Sequence, residues 1–157
     1  MIKIRKATVK DKETLIRTVL KIEQDADSQG FLSIMASTRD NAELLYAMVL
    51  YPSLMAGDPI LFAEQNGNVI GASFTLIRRG PIACKSPSAY GSGWWVDPEY
   101  RRKGILKDLL AETERLLRAA GIFVWEEFIH EPNHLAFKIA EKRGFMESMV
   151  ILRKELR

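Results

Sequence analysis

Residues 94–117 constrain this 157-residue chain more than any other stretch. Trp94, Trp95 and Val96 read as the end of a strand, and Asp97-Pro98-Glu99-Tyr100 turns the chain out of it. Arg101-Arg102-Lys103-Gly104 then leads into Ile105, Leu106, Leu109, Leu110, Thr113, Leu116 and Leu117, which recur at a period of 3.6. That spacing predicts a long amphipathic helix, ended at Gly121 by the left-handed turn that glycine favours. A basic, glycine-containing loop at a helix start leaves the first-turn N–H groups unpaired at the positive end of the helix dipole. Such a loop is a seat for an anion.

The remaining elements follow from shorter signals. Ile2 and Ile4 alternate with Lys3 and Arg5, as in a half-buried strand. Asp11 can cap a helix whose apolar face is Leu15, Ile16, Val19, Leu20 and Ile22, and residues 25–37 read as a loop. Asp40 and Glu43 resemble a capping box for a second helix of about ten residues, with Leu44, Leu45, Met48 and Val49 inward and Pro52 closing it. Residues 59–63 and 69–77 are strand-like and joined through Asn66-Gly67, a hairpin signal. An irregular crossing with Pro81 and Pro87 precedes a strand over 89–96. A strand over 122–129, a helix opened by Pro132-Asn133 with Leu135, Ala136, Ile139 and Ala140 inward, and a last strand over 145–152 complete the order. The economical packing is one α/β domain over residues 1–157, a mixed sheet flanked by helices, in which 94–129 forms a strand-helix-strand crossover with parallel strands.

Composition narrows the class. With 47% hydrophobic and 27% charged residues the chain can bury a full core. Its 23 basic and 20 acidic residues are interleaved, which permits a phosphate-bearing ligand without requiring nucleic acid. A single cysteine, Cys84, allows neither an intrachain disulfide nor a multi-cysteine zinc site, and no metal is expected. No apolar run is long enough to span a bilayer, so the expected location is the cytoplasm.

Two motifs in the right order carry a resemblance to the GCN5-related N-acetyltransferase family that extends over nearly the whole chain. The first is a strand with a Val-x-Pro-like end followed by Arg or Gln, two residues, Gly, one residue and a small residue. Residues 95–106 fit it, with Leu106 at the usually small position. The second, Asn-x-x-Ala with a Gly-Phe step further on, is met by Asn133, Ala136, Gly144 and Phe145. The resemblance implies a mixed, mostly antiparallel sheet of about six to seven strands with a splayed strand pair. It also implies acetyl-CoA as co-substrate, with pantetheine laid along Trp94, Trp95 and Val96 and pyrophosphate on Arg101, Arg102, Lys103, Gly104, Ile105 and Leu106, helped by Asn133 and Phe137. The acceptor would be a small-molecule or peptide amine, and a homodimer is compatible with it. A backbone N–H at Val96 or its neighbour would polarise the thioester carbonyl, a donor worth about 3 kcal/mol in acyl transfer. Where the family often carries a Tyr that protonates the departing thiolate, this chain has Ala140.

Amine attack on a thioester needs a base, because an alkylammonium of pKa about 10.4 has no lone pair at neutral pH. Glu126 and Glu127 are the first candidates: adjacent strand residues face opposite sides, so one of them meets the cleft in either register. His130 is the next. Either glutamate can instead form an edge ion pair, and Asn133 can be simply a helix cap. Glu23, Asp25 and Asp27 can draw in an amine or merely keep a loop hydrated. The expected activity is direct transfer of acetyl to a primary amine in a ternary complex. The rivals are an acyl-CoA-binding protein without turnover and a nucleic-acid-binding module using Arg78, Arg79 and residues 101–103.

Overall fold

The computed structural model describes residues 1–28, 38–79, 87–129 and 133–147. Cys84, His130, Pro132 and most of the crossing at 80–88 lie outside the described residues. So does most of the strand expected over 145–152, of which 145–147 carry no strand pairing. Among the described residues no helix is long and apolar enough to cross a membrane.

Five strands, β1 Lys3–Lys6, β2 Ile60–Gln65, β3 Asn68–Arg78, β4 Ser88–Val96 and β5 Val124–Glu127, form one sheet in chain order among the described residues. The first three pairings are antiparallel and β4–β5 is parallel, joined by the crossover helix α4, Ile105–Ala119. The β2–β3 turn has two residues, Asn66 at φ 51° and Gly67 at φ 80°, the left-handed pair that a type I′ hairpin requires.

Both faces of the sheet are covered, as the apolar runs in β2 and β3 require. On one face Leu15, Ile16 and Val19 of α1, Lys12–Ser28, and Ala42 of α2, Arg39–Leu45, pack on Ile60, Phe62, Ala72 and Phe74. On the other, Ile105 and Leu109 of α4 pack on Leu61, Ala63, Ile70 and Val96. Ser73 and Thr113, both buried on the α4 face, share a hydroxyl hydrogen bond at 3.3 Å. Arg5 bridges Asp11 and Glu64, tying β1 to β2 and to the start of α1.

Several local expectations are corrected. α1 runs on to Ser28, so Asp25 and Asp27 are helical, and Asp11 serves a capping box with Thr8 one turn ahead of it. The cap of α2 is Thr38, whose hydroxyl accepts from the Asn41 N–H, in place of Asp40. Pro52 does not close that helix. The chain widens into a π-helical turn, Tyr46–Leu50, where the Tyr51 N–H bonds back to the Tyr46 carbonyl, and continues as α3, Tyr51–Met55. A widened turn makes room for a ring that a regular i−4 ladder would exclude. In α5, His134–Lys142, Ala140 is buried as expected, but Leu135 is 69% exposed because the inward stripe passes through Ala136 and Ala140.

Candidate active site

The basic loop has the backbone of an anion seat. Asp97 accepts from the Glu99 N–H at 3.2 Å and starts a single 3₁₀ turn, Pro98–Tyr100. Beyond it two residues are left-handed: Arg102 at φ 63° and Gly104 at φ 82°. The first bond into the ladder of α4 runs from the Asp108 N–H to the Gly104 carbonyl at 3.1 Å, so the N–H groups of Ile105, Leu106 and Lys107 lie ahead of it at the helix's positive end. Ile105 is buried, and Leu106 is half-buried against the cluster that Ile105 and Leu109 form with the sheet.

The three loop cations are disposed differently. Arg101 donates from Nε to the Val96 carbonyl at 3.1 Å and from Nη2 to Asp25 Oδ2 at 2.5 Å. Lys103 bonds the Glu99 carbonyl and lies 4.8 Å from the Tyr100 ring centroid. Arg102 is exposed and has no side-chain partner among the described residues.

The loop stands at the mouth of a gap in the sheet. Pairing of β4 with β5 ends at Gly91 opposite Glu127, so residues 92–96 have no strand beside them on that edge among the described residues. Extended backbone with a free edge can hydrogen-bond a chain-like ligand as an added strand. At the vertex, β4 carries one extra residue: Phe74 faces Gly93 and Thr75 faces Gly91, a bulge at Ser92. The extra residue resets the alternation and puts Gly91 and Trp94 on the same, α4-side face. Trp95 goes to the other face, 5% exposed, with the Lys21 ammonium 5.3 Å from its ring.

This geometry separates the two glutamates. Glu126 faces the α1 side and is ion-paired with Arg78, whose guanidinium lies 4.8 Å from the Tyr90 ring. Glu127 faces the α4 side at the vertex, where the Trp94 indole N–H donates to its Oε1 at 3.0 Å. Its carboxyl fills the space of a missing side chain: a Cβ at Gly91 would stand 1.9–2.1 Å from it. Burial pushes this carboxyl up to about 8, with the Trp94 hydrogen bond and a smaller pull from Trp125 opposing. Phe145 closes this corner, 5.1 Å from the Trp125 ring and 6.4 Å from the Trp94 ring, and its N–H bonds the Ala140 carbonyl.

Asn133 caps α5, its side chain accepting from the Ala136 N–H at 3.1 Å, and Phe137 is half-buried on that helix. Of the acidic residues on α1, Glu23 is buried and Asp25 is held by Arg101. Gly91, against the Glu127 carboxyl, and Asp25, against Arg101, make contacts at the candidate site that sequence reasoning did not single out. A glycine inside a strand does signal close approach, and Gly91 carried that signal.

The acetyltransferase (GNAT) family model matches residues 19–145. A spermidine N(1)-acetyltransferase of Thermoplasma acidophilum is 24% identical over 162 residues, covering 92% of this chain and 88% of that protein. Among solved structures, the aminoglycoside acetyltransferase AAC(6')-Iy bound to the bisubstrate analogue CoA-S-monomethyl-acetylneamine has a TM-score of 0.74 at 20% identity, covering 100% of this chain and 99% of its own. A predicted acetyltransferase of Clostridium acetobutylicum, solved with acetyl-CoA, has a TM-score of 0.75 at 18% identity, covering 99% and 96%. The chain is an N-acetyltransferase and belongs to the acetyltransferase (GNAT) family.

Proposed function

We propose that the protein transfers acetyl from acetyl-CoA directly to a primary amine held with it in one complex, and that Glu127 takes the amine proton. The observation that carries this reading is the alignment of the left-handed, N–H-rich loop at 102–107, the edge 92–96, unpaired among the described residues, and the Glu127 carboxyl along one gap. The loop would hold pyrophosphate and the free edge pantetheine, which brings the thioester to the narrow end where Glu127 stands. The amine nitrogen bonds to the carbonyl carbon as the C–S bond breaks; the amine proton passes to Glu127 and the departing thiolate takes one from solvent or from the carboxyl. Thiolate is a tolerable leaving group, since a thiol has a pKa of about 8.5, so Ala140 is compatible with turnover.

The amines named for the relatives, spermidine and a neamine derivative, support a small-molecule amine acceptor. Thiol release from acetyl-CoA across a panel of polyamines, aminoglycosides and peptide amines tests this. Acetyl-CoA-dependent release with at least one amine is expected, and binding of acetyl-CoA without turnover on any of them would overturn transfer to an amine of these classes.

Gly91→Ala probes the vertex without touching a charge. The added methyl must expel the Glu127 carboxyl, the movable end of a flexible side chain, so the fold survives and the base is displaced. The expected loss in kcat is on the order of 100-fold, as for a misplaced catalytic group. The pH-rate limb should also move down towards the usual carboxylate range, because the expelled group regains water. A variant with the parental rate and profile would remove Glu127 from the mechanism.

A further inference from the structure

Arg101 is engaged within the protein on the edge with which a guanidinium grips an oxyanion side-on. Its Nε is on the Val96 carbonyl, at the last residue of β4, and its Nη2 is on Asp25, 76 residues away near the end of α1. One turn earlier on the same helix, Lys21 lies over Trp95 and within 3.9 Å of Asp97. The last turns of α1 thus run as a splint along the point where β4 becomes the loop. The loop needs one: Arg102 is left-handed without being glycine, a conformation that persists only where its surroundings impose it.

We infer that Arg101 is a positioning residue, strapped by Asp25, that sets the loop so that its N–H groups converge on the pyrophosphate. This rests on the reading of the loop as the acetyl-CoA seat. The two roles for Arg101 give opposite signs when Asp25 is neutralised. If Arg101 were a phosphate ligand, Asp25→Asn would release it and acetyl-CoA would bind as tightly or more tightly. If it is a strap, release loosens the loop and binding weakens.

Calorimetric titration of the full chain with acetyl-CoA decides this, using the parent, Asp25→Asn, Asp25→Glu and Arg101→Gln. Asp25→Asn should raise the Kd about fivefold, a typical coupling between sites, with Asp25→Glu restoring most of it. Asp25→Asn added to Arg101→Gln should cost nothing more, because the strap is already cut. In turnover the KM for acetyl-CoA should rise while kcat stays within about twofold, and the thermal midpoint should hardly move for so exposed a pair. Parental or tighter binding by Asp25→Asn overturns the strap alone. A parent chain that binds no acetyl-CoA overturns the seat and the strap together.

Discussion

Glu127→Gln is expected to lower kcat by about 10³-fold, within the range for loss of a positioned base, and to abolish the ionisation that shapes the parental pH-rate profile. The sign follows from the role. A base works when deprotonated, and burial has pushed this carboxyl up to about 8, so the parental rate should climb tenfold per pH unit below that value and level off above it. Glu126→Gln should keep that limb, because Glu126 faces the other side of the sheet in its ion pair with Arg78. A parental rate that instead falls above pH 8 would make Glu127 the acid that protonates the thiolate, and two substitutions with the parental profile would place the base elsewhere.

The same residue has a cost to stability that points in the opposite direction. With the folded pKa raised from 4.5 to about 8, the group's contribution to folding is fully present below 4.5 and is lost as pH rises through about 8. Glu127→Gln removes that penalty. The variant should therefore gain on the parent as pH rises from 5 to 9, by on the order of 3 kcal/mol after allowing for the carboxyl's partial exposure. In thermal melts that is several degrees at pH 9 and little at pH 5.

What could be read from the chain alone follows the range of the interactions involved. The α4 stripe and its Gly121 ending and the Asn66-Gly67 hairpin depend on neighbours within a few residues, and they are as the residues imply. Alternation along a strand said that Glu126 and Glu127 part company; only the parallel register of β5 on β4 says which one meets the gap. The bulge at Ser92 is a mismatch between two strands and has no signature within either. It nevertheless decides that Trp94 reaches Glu127 and that Trp95 goes to the α1 side. The Asp25–Arg101 strap spans 76 residues, and residues 25–28 look like a loop because their charges mask a helix that packing extends. Pro52 misled for a related reason: its usual effect is on a regular helix, and the turn before it is π-helical.

Gly104→Glu should weaken acetyl-CoA binding by 100-fold or more on the order-of-magnitude scale of two added penalties. The first is conformational. Gly104 caps α4 at φ 82°, where a side chain costs roughly 1–2 kcal/mol, although the space beyond the Cα is open, with no atom within 4 Å of an added Cβ. The second is electrostatic. A carboxylate at the helix's positive end would satisfy the N–H groups proposed to hold the ligand and would repel its phosphates. Gly104→Ala separates the two, because it carries the strain without the charge. Both variants should melt a few degrees lower than the parent, and only the glutamate should lose nearly all affinity in calorimetry. Equal losses in affinity would mean that loop shape alone holds the ligand. Parental affinity in Gly104→Glu would mean that the pyrophosphate lies somewhere other than this loop, and the alignment of seat, edge and Glu127 would lose its first member.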